Sequence, residues 1–280
     1  MKIQHDNIIF SSFYLFLDDK LVKTAEAVVT GKHQTFKYHS VENKPSGFNA
    51  FYSPIKQFAA NHILAPSGCT VNGTGIYQNT LGPVPMLIDH EEGRILLSTQ
   101  VPTTATISGN FVEREVNLYI TNDSQEEIIL NKDFYESGTE QTFLESSDNE
   151  DKKRYSLPAI FLTNHRSENK PFALGGVDDT KNYFKVVVAA TNNFYIDSIL
   201  GLLRDFAHKN FKIIDYSSFP YGSFWNIKQP PYNYNNLIPT KYSYIDSVMA
   251  YRIKEKLSSR LGKAILFGCA DITISSIRKP

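Results

Sequence analysis

The pattern of apolar and polar positions changes character near the middle of the chain. In the first half, short apolar runs are broken by polar turns. Phe13 to Leu17, then Asp18-Asp19, then Lys20 to Thr24 has the form of strand, polar turn, strand. Met86 to Asp89 and Arg94 to Ser98 flank His90-Glu91-Glu92-Gly93, which predicts a hairpin closed by a glycine at positive φ. Val112, Arg114, Val116, Leu118 and Ile120 then alternate with Glu113, Glu115, Asn117 and Tyr119. That period of two predicts a half-buried strand with Arg114 at its edge. Glu127 to Leu130 reads as another short strand, and residues 30–85 read as long loops over a β-framework.

The second half has a different grammar. Tyr183 to Ala190 is a continuous apolar run, the mark of a buried strand. Asn192 or Asn193 offers an N-cap, and Ile196, Ile199, Leu200, Leu202, Leu203 and Phe206 fall on one helical face. Phe211 to Ile214 follows as a strand, giving a strand–helix–strand unit. Residues 242–253 alternate at Ser243, Ile245, Ser247, Met249, Tyr251 and Ile253, which favours strand over helix. Ala264 to Phe267 and Ala270 to Ile277 close the chain as strands. Between the halves, Glu145 to Arg154 has no apolar member and predicts a solvated loop or linker. The expected fold is therefore α+β and β-rich, an N-terminal antiparallel β-framework followed by a strand–helix–strand portion. The expected division is a β-rich lobe at 1–144, a polar linker or surface loop at 145–158, and an α/β lobe at 159–280.

Composition narrows the function classes. The 280 residues carry 29 basic and 29 acidic side chains, 41% hydrophobic residues, 19 Phe and 16 Tyr. Such a chain buries real cores and is not disordered. Zero net charge lacks the basic footprint of a nucleic-acid binder, so no sequence-specific nucleic-acid partner is expected. Cys69 and Cys269 are too few for a disulfide scaffold and read as small buried hydrophobes. No apolar run reaches the ~18 residues of a membrane span, so no membrane partner is expected. Ile8 to Leu17 imitates a signal-peptide core, but acidic flanks and the lack of a small-residue cleavage site make it structure in the mature protein.

Catalytic signatures are missing from the sequence. Asp89-His90-Glu91-Glu92 is the densest group of metal-ligand types, yet consecutive residues in a hairpin point to alternate sides. There is no Gly-x-Ser-x-Gly elbow, and Gly73-Thr74-Gly75 lacks the third glycine of a dinucleotide fingerprint. No catalytic residue, cofactor or metal is expected. A carboxylate pair drawn from separate elements would escape this reading, so a soluble hydrolase stays as one alternative.

Residues 216–236 stand out. Tyr216, Phe219, Tyr221, Phe224, Trp225, Tyr232 and Tyr234 are interleaved with Pro220, Pro230 and Pro231. That many prolines exclude helix and central strand, leaving an extended loop of unusual length. Its aromatic rings suit rigid, amphipathic contacts at low entropic cost. Three roles stay open: contact with a neighbouring subunit, packing on its own sheet, and stacking on a ligand.

The run Leu87 to Leu97, continuing through Ile107-Ser108-Gly109-Asn110-Phe111 to Val116-Asn117-Leu118-Tyr119-Ile120, resembles virion structural proteins of tailed bacteriophages. The shared pattern is a Gly-Arg-apolar hairpin, a Ser-Gly-x-aromatic strand and an alternating strand ending in Tyr. The second half resembles the same class. There an apolar strand leads into Asn193-Phe194-Tyr195-Ile196-Asp197 and Leu200 to Asp205. Tyr232-Asn233-Tyr234, Tyr244-Ile245-Asp246 and the strand from Ala270-Asp271-Ile272 to Arg278 follow. The resemblance covers residues 85–121 and 184–278. It implies a non-enzymatic subunit of the neck (head–tail connection) or tail-completion ring, located in the virion and assembled in the host cytoplasm. Its implied partners are copies of itself in a ring and other virion proteins such as the connector, tail tube or sheath. A baseplate component, or a host-recognition module binding carbohydrate through Trp225 and Tyr221, is the alternative. Ring closure needs one surface docking on a different surface of the next copy, and a long aromatic loop suits that contact.

Overall fold

A computed structural model describes residues 5–23, 28–38, 46–53, 57–59, 68–77, 86–136, 154–173, 177–221, 233–253, 257–258 and 264–278. The fold is α+β and β-rich. An N-terminal helix, α1 (His5–Lys23), precedes a sheet built from β1 (Val28–Tyr38), β2 (Phe48–Tyr52), β3 (Gly68–Val71), β4 (Thr74–Tyr77), β5 (Met86–Asp89), β6 (Arg94–Ser98) and β7 (Ile107–Arg114). Their spatial order is β4-β3-β7-β1-β2-β6-β5, antiparallel throughout.

The chain then supplies β8 (Asn117–Ile120), α2 (Gln125–Asn131), β9 (Asp133–Glu136), β10 (Arg154–Leu157), β11 (Ala159–Ala173), β12 (Val177–Ala190) and α3 (Asn193–Arg204). It continues with β13 (Asn210–Ile214), β14 (Pro239–Arg252), β15 (Leu257–Ser258) and β16 (Ala264–Arg278). The second sheet runs β13-β14-β16-β12-β11-β8, with β15 beside β16. All of its pairs are antiparallel except β8 with β11. The expected strand–helix–strand unit is β12-α3-β13, and α3 carries the chain over β16 and β14 to reach the far edge.

Alternation along the long strands of the second sheet separates two cores. Ile160, Leu162, Phe184, Val186, Val188, Ile272 and Ile274 face α1 and α3. Ala159, Phe161, Val187, Ala189, Phe267 and Cys269 face α2, β9 and β10 on the opposite side. The expected helical face of α3 is borne out, with Ile196, Ile199, Leu200 and Leu203 buried and the Asn192 side chain capping Tyr195 N. Gly268 lets α3 approach closely, since a Cβ there would lie 2.9 Å from Leu200 Cδ1. Residues 242–252 are strand, part of β14, as the alternation predicts. The 86–98 hairpin also forms as predicted, with Gly93 at a φ of 63°.

Four expectations are corrected. Residues 13–24 do not form a strand–turn–strand; they belong to α1, in which Phe13, Tyr14, Leu15, Phe16 and Leu17 are all buried. A helix buried around most of its circumference has no polar stripe, so its period is invisible. Its Phe13 ring packs against Phe184 and Phe211 at 5.4 and 5.6 Å, and Phe16 against Phe206 at 5.1 Å. Each such ring contributes about 1.5–3 kcal/mol on burial. Residues 112–120 are two strands in different sheets, divided at Glu115-Val116. Arg114 lies inside the protein rather than at an edge. Glu127 to Leu130 is helical, because Ser124 and Glu127 form a reciprocal capping box. Finally, residues 68–77 form a tight hairpin whose Asn72-Gly73 turn has both φ angles positive.

Most of the polar run 145–154 lies outside the described residues, but Arg154–Leu157 is β10, paired in parallel with β9. Residues N-terminal to that run serve both sheets, since α1 and β8 pack in the second.

The two sheets meet at Gln57 and Asn117, both buried. Gln57 Oε1 accepts from Leu118 N at 2.8 Å, and its Nε2 donates to Leu118 O at 2.9 Å and Glu91 O at 2.7 Å. The side-chain amide thus stands where another strand would pair with β8. Asn117 Oδ1 accepts from Gln57 N at 3.0 Å, and Asn117 Nδ2 donates to Ser156 O at 3.0 Å. Replacing Gln57 by Ala leaves several buried backbone groups unmet at ~1–3 kcal/mol each. Gln57→Ala is expected to lower unfolding free energy by about 3 kcal/mol, measured by urea denaturation; a loss within error of zero would contradict the joint.

Candidate interaction surface

The aromatic loop is anchored where α1 meets the 90–93 hairpin turn. Asp18 of α1 is paired with Arg114 Nη1 at 2.7 Å, both nearly inaccessible. Tyr14 Oη donates to Glu91 Oε1 at 2.9 Å, tying the helix to the turn. Burial first, then the Glu91 and Asp18 charges, holds the Tyr14 phenol well above its usual range. The same causes act on Tyr221, which places the start of the loop against this cluster.

The structure divides the seven sequence-predicted aromatics. Tyr234 is buried in its own core, 6.2 Å from the Phe16 ring, and its hydroxyl accepts from Lys212 N at 3.3 Å. It is therefore committed to self-packing and unavailable to a neighbour. Phe219 and Tyr221 pack half-buried on the same core, with their rings 6.1 Å apart. Tyr216 is exposed on a 3₁₀ turn capped by Asp215, which accepts from Ser217 N. Phe224, Trp225 and Tyr232 lie outside the described residues.

A surface the sequence reading did not single out lies on β14. The alternation from Ser243 to Ile253 is interrupted by a bulge at Asp246. Ser243 and Ile245 before it are buried; Ser247, Met249 and Tyr251 after it are exposed, Met249 at 69%. One extra residue exchanges the faces of a strand. Val248 and Ala250 consequently become the core-facing pair beneath α3. The residues involved were legible, but the phase change at Asp246 was not.

The bulge coincides with a change at the sheet edge. β13 pairs with β14 only as far as Tyr244, and the 208–209 segment bonds Ile245. Among the described residues no strand flanks 247–252 on that side. Within that stretch Ser247 to Tyr251 carries no charge and no proline, and Arg252 at its end is ion-paired with Asp197 of α3. The opposite edge of the sheet is treated differently. Beyond Leu162, where β8 stops, β11 has a bulge at His165, then Arg166, Glu168, Lys170 and Pro171. Bulges, charges and proline are the usual means of blunting an edge against further pairing. β11 has them all; on β14 the bulge lies at Asp246, and 247–251 beyond it carries neither charge nor proline.

Arg94 Nε meets Asp89 at 2.8 Å and Arg94 Nη1 donates to Tyr52 at 2.8 Å, closing the predicted hairpin. Burial pushes the Cys69 thiol up to about 11 and the Cys269 thiol up to about 12. Among the described residues no three His, Cys, Asp or Glu side chains converge as metal ligands. No helix among them is long and apolar enough to cross a membrane. In comparison with known proteins, no family model matches the chain, and no curated protein is significantly similar to it.

Removing one partner of a buried ion pair strands the other charge at a cost of about 3–5 kcal/mol. Arg114→Met is expected to destabilise by that order, and Asp18→Leu/Arg114→Met together to recover most of it. Thermal or urea unfolding checks this; equal loss in the single and double variants would contradict the pairing.

Proposed function

We propose that the chain is a non-enzymatic structural subunit of a tailed-phage virion, of the neck or tail-completion type, which assembles with copies of itself. The observation that carries the reading is the 247–251 edge of β14, which carries no charge and among the described residues pairs with no further strand, with Met249 and Tyr251 exposed. A flat unpaired edge invites another strand, and a protein that stays alone pays to suppress it. Here the edge of β11 beyond β8 carries charges and Pro171, whereas 247–251 of β14 carries neither. Tyr216 adds an exposed ring at the base of the aromatic loop. Sequence resemblance over 85–121 and 184–278 supplies the virion assignment. In the assembled ring the β14 edge of one copy meets a different surface of the next, so the contact is heterologous and closes by rotation. Zero net charge favours such side-by-side packing.

A lysine on an edge strand opposes further pairing. Met249→Lys changes an exposed side chain, so the monomer fold is expected to survive. Native mass spectrometry should find the wild type as a closed oligomer and Met249→Lys as a monomer with unchanged circular dichroism. A monomeric wild type, or a variant that assembles normally, would overturn the copy–copy contact. Absence of the chain from purified particles of the phage that encodes it would overturn the virion assignment.

A further inference from the structure

The backbone groups of a strand edge are matched best by those of another strand edge. The surface that receives 247–251 in the next copy should therefore be an edge that its own protein leaves open. Within the second sheet the other edges are already met. On β13, Lys212 N donates to Tyr234 Oη at 3.3 Å and Ile214 N to Ser12 Oγ at 3.0 Å. On β8, the Gln57 amide takes the Leu118 N–H and C=O. β11 beyond β8 carries charges and Pro171. The first sheet ends on β5 at one side and on β4 at the other. Met86, Ile88 and Asp89 of β5 are buried. Thr74 and Gly75 of β4 are exposed, and among the described residues β4 pairs with β3 alone.

The sequence around β4 carries a second signal. Residues 57–88 contain no Asp, Glu, Lys or Arg, although these make up 21% of the chain. A solvated hairpin has no need to exclude charge, whereas the centre of a protein–protein contact is depleted of it. β4 reads Thr-Gly-Ile-Tyr, has no proline, and pairs with β3 in unbroken register. Gly75 lets a neighbouring backbone come close. The four residues of β4 match in length the uncharged run from Ser247 to Tyr251. We propose that β4 of one copy is the strand that pairs with the 247–251 edge of β14 in the next, joining the first sheet of one copy to the second sheet of the other. This rests on the copy–copy reading above and adds the receiving surface. Each copy offers one edge of each kind, so the contact repeats from copy to copy and can close into a ring.

Thr74→Lys puts a charge on β4 to oppose pairing, at an exposed position where circular dichroism should stay unchanged. Native mass spectrometry should find Thr74→Lys monomeric, as expected of Met249→Lys. Mixing the two variants should restore a single contact. The intact β14 edge of Thr74→Lys then pairs with the intact β4 of Met249→Lys, giving a heterodimer whose altered outer edges stop further growth. Two outcomes would overturn the β4 assignment while leaving the Met249→Lys result as it stands. One is Thr74→Lys assembling like the wild type; the other is a mixture that stays monomeric where the wild type is assembled. A wild type that is itself monomeric would overturn the copy–copy reading, and this pairing with it.

Discussion

A sheet edge can be buried only if its backbone donors and acceptors find partners, and the protein meets that constraint with one side chain. The Gln57 amide takes both the N–H and the C=O of Leu118, as a neighbouring strand would, and spends its second amide proton on the 90–93 turn. Asn117 completes the joint by holding the Gln57 N–H and the Ser156 carbonyl. Every polar atom of these two amides is used, which is the condition for polar groups to be buried without a net cost. With β8 capped this way, β7 and β8 can leave one sheet and enter the next within two residues. α1 can then lie across the second sheet, with Asp18 and Tyr14 reaching back to Arg114 and Glu91.

How much of this was legible follows from the kind of signal each element leaves. The 86–98 hairpin, α3 with its Asn192 cap, the buried β12 and the strand at 242–252 were readable, because each has one wet face or an unbroken apolar run. α1 was not. Its Asp18 and Asp19 mimic a turn, yet both carboxylates are buried, and only the fold shows that Arg114 answers Asp18. The same pair explains why the strand at 112–120 seemed continuous: a buried arginine kept the alternation going through a break. α2 did carry a local signal, Ser124 three residues before Glu127, and so did Asn72-Gly73. In both cases local chemistry outweighed the apolar pattern. Of the interaction surface, the aromatic loop stood out in composition, but its Tyr234 serves the core. Met249 and Tyr251 became visible only with the bulge at Asp246.

The contrast between the two edges of the second sheet links the fold to the proposed function. β11 and β14 belong to one sheet and face the same hazard of adventitious pairing. Both strands carry a bulge, but charged side chains and Pro171 line only the stretch of β11 beyond β8, not 247–251 of β14. Under the proposed assembly, the less protected 247–251 edge is the one that a neighbouring copy covers. The bulge turns Met249 and Tyr251 outward while keeping Val248 and Ala250 under α3.

Hydrogen–deuterium exchange of residues 247–251 across protein concentration tests this account most directly. Amides of β14 that point away from β16 should exchange rapidly in the dilute chain and become protected as it assembles, with no comparable change along 164–171 of β11. Exchange at 247–251 that stays fast under assembling conditions, or protection that appears on β11 instead, would contradict it.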